Sequence, residues 1–168
     1  STRLERWVEC PFAYFSEYVL GVRSEEEPAS GIHLSSLVRG SIIHRCLERL
    51  VGEGLEHDTL PGPGRPWSVA DHQRLSEILV EECARADARG EAAHPLFWPV
   101  IRSRMDAELQ DFLMQDSDTR ASQHSTPVAA EYRFGGPTSL PVTLADGRAL
   151  RFRGAIDRVD RIDGGGVV

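Results

Sequence analysis

The hydrophobic periodicity of this chain changes once, and that change constrains the fold more than any single motif. From Thr2 to about Asp116 apolar residues recur at helical spacing, as at Ile43, Leu47, Leu50 and Val51 and again at Ile101, Met105, Leu109, Phe112 and Leu113. From about Pro127 onward short strand-like runs are separated by turn residues. Helices gathered ahead of strands point to an α/β chain in α+β arrangement, with a helical part over 1–117 and strands over 127–168.

Local signals set the expected boundaries. Thr2 with Glu5 reads as a capping box, the Cys10-Pro11 step breaks the first helical region, and Gly21 stops it. Glu25 to Glu27, Pro28 and Gly31 form a loop, and a helix from Leu34 to Val51 ends at Gly52 and Gly54. Gly62, Pro63, Gly64 and Pro66 make a rigid loop before Ser68 and Asp71 open a helix reaching about Ala88. A further helix starts near Pro99, and polar Ser117 to Thr126 reads as a loop. Val128 to Phe134 is then a strand, Asp146-Gly147 turns a hairpin between Val142–Ala145 and Arg148–Asp157, and Asp163 to Gly166 is a second turn. The Met, Phe and Trp positions on the helices read as core.

Composition narrows the class. A chain of 168 residues, 40% hydrophobic and 27% charged, suits one globular domain that buries about 70% of its unfolded surface. No run approaches the roughly 20 apolar residues that span a bilayer, and Arg3, Glu5 and Arg6 stand where a signal peptide has its apolar core, so a cytoplasmic protein without a membrane partner is expected. A net charge of −7 argues against coating nucleic acid through bulk charge, while leaving room for a local basic groove. All 19 basic residues are Arg. Cys10, Cys46 and Cys83 match neither a zinc knuckle nor a redox pair.

Three places can carry chemistry. Gly40 and His44 share a helix face one turn apart, where the glycine opens space beside the imidazole; taken alone, His44 also reads as an ordinary surface or core histidine. In Gly154-Ala155-Ile156-Asp157-Arg158-Val159-Asp160 a strand delivers Asp157 near its far end, either to a metal ion or to an Arg salt bridge. Glu131 lies on the first strand, as a site residue or an exposed carboxylate. Arg148, Arg151, Arg153, Arg158 and Arg161 form a dense basic run that suits either a DNA path or a solvated edge with ion pairs to nearby Asp.

The order Leu4-Glu5, Cys10-Pro11-Phe12-Ala13-Tyr14-Phe15, Val19-Leu20-Gly21, Arg39-Gly40 with His44, Glu131-Tyr132-Arg133-Phe134 and Gly154-Ala155-Ile156-Asp157-Arg158-Val159-Asp160 closely resembles the RecB-like and AddB-like nuclease domains of the PD-(D/E)XK superfamily. The resemblance spans essentially the whole chain as one domain, 1–168, and implies helices packed on the mixed sheet of a restriction-endonuclease-like core. It implies a metal-dependent DNA exonuclease domain of a recombination and repair helicase–nuclease, with Mg²⁺ or Mn²⁺ held by His44 and Asp157, Glu131 matching an acidic position often present on the first strand. DNA and a helicase domain or subunit are the implied partners. The family's next strand ends in a D/E-x-K element, and this chain has no Lys. A fragment that is incomplete at its C-terminus and inactive alone is therefore expected, its exposed strand edge open to self-association. A non-catalytic DNA-binding or scaffold module of the same fold is the alternative. Cys10 matches the first ligand of an iron–sulfur cluster that many relatives carry, which only a longer chain could complete, while Cys46 and Cys83 read as small hydrophobic residues.

Overall fold

The loop before the second long helix shows how closely local chemistry sets this architecture. Ser68 accepts a hydrogen bond from the Asp71 amide at 3.2 Å while the Asp71 carboxylate accepts from the Ser68 amide at 2.7 Å, a reciprocal cap at the start of α4 (Val69–Ala88). In this computed structural model, which describes residues 2–22, 34–135 and 140–168, the other long helices are α3 (Ser36–His57) and α5 (Trp98–Gln123). They follow α1 (Thr2–Glu9), α2 (Pro11–Tyr14) and a π-helical turn over Phe15–Val19. Four strands come after them: β1 (Ser125–Phe134), β2 (Leu140–Thr143), β3 (Ala149–Phe152) and β4 (Gly154–Ile162). The α+β expectation holds, and every strand pair among the described residues is antiparallel.

The chain divides into two compact units, Ser1–Gly31 and Ile32–Val168. In the first, Cys10 takes the extended backbone that a following proline imposes, separating α1 from α2 as expected. The Trp7 and Tyr14 rings meet edge to face at 5.3 Å, and the Arg3 guanidinium lies 4.8 Å from the Tyr18 ring centre. The Thr2 side chain of the expected capping box and the loop at Glu25 to Gly31 lie outside the described residues.

In the second unit α3, α4 and α5 bury Ile42, Cys46 and Leu50 against Leu75, Ile78, Leu79 and Cys83, and these against Met105, Leu109 and Leu113. Each large aliphatic side chain buried there is worth about 1.5–3 kcal/mol, which makes this three-helix seam the main source of stability. Cys46 and Cys83 sit in it as small hydrophobes, as the sequence suggests. No helix among the described residues is long and apolar enough to cross a membrane.

Four expected boundaries are displaced, each for a reason the structure shows. The α3 helix does not stop at Gly52 and Gly54 but runs to His57 and ends at left-handed Asp58. Gly54 is buried, and a Cβ there would stand 2.4 Å from Leu60 Cδ2, so that glycine serves close packing. The α5 helix continues through the polar stretch read as a loop, supported by the pair of Arg120 with Asp116 one turn back at 2.9 Å, while Ser117 and Thr119 turn their hydroxyls onto the carbonyls four residues back instead of ending the helix. β1 accordingly begins at Ser125. Finally, Arg148–Asp157 is not one strand: Ala149–Phe152 pairs with β2, and after Arg153 the chain changes partner to β1. Gly154 faces Phe134 there, where the ring lies 3.1 Å from the position of a Cβ, a close approach that a larger residue would meet only if the ring shifted by a few tenths of an ångström.

The other turns fall as expected. Asp146 accepts from the Arg148 amide at 3.1 Å in the β2–β3 hairpin. After Ile162 the chain reverses through Gly164 to Gly166, and Val168 exchanges two 2.9 Å backbone bonds with Asp160.

Candidate metal centre

His44 is carried by α3, Glu131 by β1 and Asp157 by β4, and the fold brings all three together. Gly40, one turn before His44, has nothing among the described residues within 4 Å of a Cβ position, so none of them blocks the approach to the imidazole along the helix. The imidazole is half-exposed, and its Nε2 lies 2.8 Å from Glu131 Oε1. Ladder pairs Ala130–Arg158 and Tyr132–Ile156 flank Glu131 and Asp157, which therefore lie across from one another. One donor atom from each of the three side chains falls within 4.8 Å of the others, and no second such cluster exists among the described residues. Glu131 has a left-handed backbone, φ 49°, in the middle of a strand. That conformation costs a residue with a Cβ about 1–2 kcal/mol, and strain of this kind collects at functional sites.

Asp157 makes no ion pair with Arg among the described residues; the salt bridge belongs to its neighbours. Arg158 meets both oxygens of Asp160, Nε to Oδ1 and Nη2 to Oδ2, each at 2.7 Å, and its Nη2 reaches Asp116 Oδ1 on α5 at 2.6 Å. The other Asp116 oxygen accepts from the Trp67 indole at 2.7 Å and from Arg120 Nε at 2.9 Å. Burial pushes the Asp116 carboxyl up, but the hydrogen bonds from Arg158, Trp67 and Arg120 outweigh it and hold the group below the usual aspartate value. Beside these residues lies a cavity of about 310 Å³ whose lining includes His44, Asp157 and Arg158 together with Leu50, Trp67 and Leu113. Phe112, read from its spacing as core, is 42% exposed and lines the same cavity.

The remaining candidates are dispersed. Arg151, Arg153 and Arg161 are exposed and make no ion pair among the described residues, whereas Arg148 is paired with Asp146 at 2.7 Å and Arg158 is committed to the two aspartates. Cys10 is a free, exposed thiol of the first unit. Sequence reasoning missed Trp67, Asp116 and Arg120. The one available signal was the i,i+4 spacing of Asp116 and Arg120, which spans the step from the helical pattern into the stretch that reads as polar loop.

A family model described as the PD-(D/E)XK nuclease superfamily matches residues 1–168. The chain belongs to the PD-(D/E)XK nuclease superfamily. Among similar curated proteins are three whose names make each of them a subunit of an ATP-dependent helicase/deoxyribonuclease. That of Symbiobacterium thermophilum is 32% identical over 97% of this chain and 14% of its own length. The Desulforudis audaxviator protein is 30% identical over 95% and 13%, and that of Anoxybacillus flavithermus 27% over 95% and 14%. The PD-(D/E)XK chain described here thus spans about one seventh of the length of these relatives.

Proposed function

We propose that this chain is part of a deoxyribonuclease domain that hydrolyses DNA phosphodiester bonds at a divalent ion held by His44, Glu131 and Asp157, acting on DNA ends within a helicase–nuclease. The observation that carries the reading is the convergence of an imidazole nitrogen and two carboxylate oxygens within 4.8 Å. The donor set fits the ion. Ligands of one Mg²⁺ at about 2.0–2.1 Å stand roughly 3 Å apart when adjacent and about 4 Å when opposed, so the pocket needs only a small contraction. Mg²⁺ or Mn²⁺ bound there supplies a Lewis acid for the phosphate and lowers the pKa of a bound water. His44 contributes a neutral nitrogen, Glu131 and Asp157 contribute negative charge, and the open helix face at Gly40 leaves room for a DNA strand. Exposed Arg151 and Arg153, free of ion pairs among the described residues, are available to phosphates.

Calorimetric titration of the full chain with Mn²⁺ tests this. One site should appear, weakened at least tenfold in His44→Ala and Asp157→Asn; unchanged affinity in both overturns the assignment. Cleavage of labelled linear DNA by this chain alone should be weak, since its 168 residues contain no Lys and single groups that stabilise developing charge are worth about 10²-fold or more in rate. The same absence favours one other reading, a DNA-binding or scaffold module that keeps the nuclease fold. Salt-sensitive DNA binding without any cleavage, even in the helicase–nuclease, would select it.

A further inference from the structure

The contact between β4 and α5 is made of charges. Asp116 is 7% exposed, Asp160 6% and Arg120 not at all, and the Nη1 and Nη2 atoms of Arg120 are buried without hydrogen-bond partners among the described residues. Apolar side chains of similar volume would join a strand to a helix as firmly or more so, because desolvating two carboxylates and two guanidinium groups cancels much of their attraction. What the ionic joint has, and an apolar one lacks, is direction. The planar Arg158 fork takes Asp160 by two parallel bonds while its Nη2 also bonds Asp116, whose second oxygen is fixed by Trp67 and Arg120. The guanidinium plane is thereby set against α5, and with it the roll of β4 about its own axis at residue 158.

The residue before it is Asp157. Among the described residues nothing nearer holds that side chain: it has no Arg partner, and the paired positions of the β1–β4 ladder step from Ala130–Arg158 to Tyr132–Ile156 over a strand distorted at Glu131. We infer that Arg158, clamped between Asp116 and Asp160, is a positioning residue that holds the Asp157 carboxylate within reach of His44 and Glu131. This deepens the metal reading given above and rests on it. It assigns Arg158 to the architecture of the site instead of to DNA phosphates.

The test uses the full chain and Mn²⁺ alone. Asp116→Asn keeps the shape of the side chain and loses its charge; Arg158→Lys keeps the charge and loses the fork. Each should weaken Mn²⁺ binding on the order of 10–100-fold, the usual effect of removing a group that orients a metal ligand. Glu82→Gln is the control, since Glu82 is equally buried but grips Arg45, Arg49 and Arg85 in the α3–α4 seam. It should lower thermal stability and leave the Mn²⁺ affinity unchanged. Wild-type affinity in the two joint variants, or a loss that merely tracks the melting temperature in all three, overturns the proposal. If Asp116→Asn does not fold, Arg158→Lys carries the measurement. A metal-free crystal structure of whichever variant folds adds a second readout: the Asp157 carboxylate should leave the 4.8 Å cluster with the β1–β4 register kept, and a carboxylate still in place refutes positioning by itself. Loss of Mn²⁺ binding in neither His44→Ala nor Asp157→Asn would sink the metal reading separately, and the crystal structure would still decide the role of Arg158.

Discussion

Replacing Glu131 by glycine and by alanine separates what the side chain does from what its backbone costs. Both substitutions remove the 2.8 Å contact to His44, so that loss cancels in the comparison. What remains is the backbone, at φ 49°. A Cβ in the left-handed region costs about 1–2 kcal/mol, which glycine escapes, so Glu131→Gly should be more stable than Glu131→Ala by about 1 kcal/mol. In an ordinary strand the order is opposite, with glycine about 0.5–1 kcal/mol worse than alanine. The sign of the difference is therefore diagnostic. For a chain of this length, about 1 kcal/mol corresponds to roughly 2–4 °C in melting temperature, resolvable by circular dichroism and urea titration on the two purified variants. Both should bind Mn²⁺ more weakly than the parent chain. An alanine variant as stable as the glycine variant, or more so, would show that the backbone at Glu131 is unstrained and that the strand presents its carboxylate by ordinary alternation.

Other expectations concern the rest of the fold. Glu82→Gln leaves Arg45 and Arg49 partly buried without their shared carboxylate, at 3.1 and 2.9 Å in the parent, and should cost about 2–3 kcal/mol, read as a lower urea midpoint; a change near zero would make the seam purely apolar. Burial pushes the Cys46 thiol up to about 12 and raises Cys83 as well, so at pH 8 only Cys10 should react with a thiol reagent until denaturant is added. Arg74 holds the Glu53 carboxyl below its ordinary value of 4.5, so the stability from this pair is present above that pH and lost as acid takes the pH through the lowered value. The gap in urea midpoint between parent and Glu53→Gln should therefore be flat from pH 7 to about 5 and close below 4.5; a gap that widens in acid contradicts the pairing. Among the described residues the outer side of β4 is paired only around Asp160 to Ile162, with Ile156 44% exposed on the unpaired stretch. Light scattering should show concentration-dependent association, weakened by Ile156→Lys.

The parts of the fold legible in sequence are those in which a residue type answers a need within a few positions of itself. Ser68 and Asp71 satisfy each other's amides, Asp146-Gly147 closes a hairpin of its own, and helical spacing places Met105, Leu109 and Leu113 in the seam. His44, Glu131 and Asp157 were legible as candidates for a different reason, the order of short motifs, and periodicity alone would have passed over each of them. Two of the misplaced boundaries share one cause. Gly54 looks like a helix stop but answers to Leu60, and Gly154 looks like mid-strand but answers to Phe134, contacts with a loop and a neighbouring strand that no local window contains.

The ionic joint was illegible for a deeper reason. Hydrophobic patterning treats polar residues as surface, so Asp116, Arg120 and Asp160 read as a solvated helix end, loop and strand although each is at least nine-tenths buried. A buried charge is tolerated only when its partners arrive from elsewhere in the fold, here from Trp67 before α4 and Arg158 on β4. The left-handed backbone at Glu131 belongs to the same class, since nothing in Ala130-Glu131-Tyr132 requires it and glutamate has no preference for it. Both departures from local rule lie beside the three metal-ligand candidates, whereas in the helical seam spacing and burial agree for the apolar residues and the one buried charge, Glu82, is met by arginines of α3 and α4 themselves. That distribution is what a site built against the grain of its scaffold should produce: the helices supply stability by rules a sequence displays, while the carboxylates are aimed by partners and strain that appear only when the chain is folded.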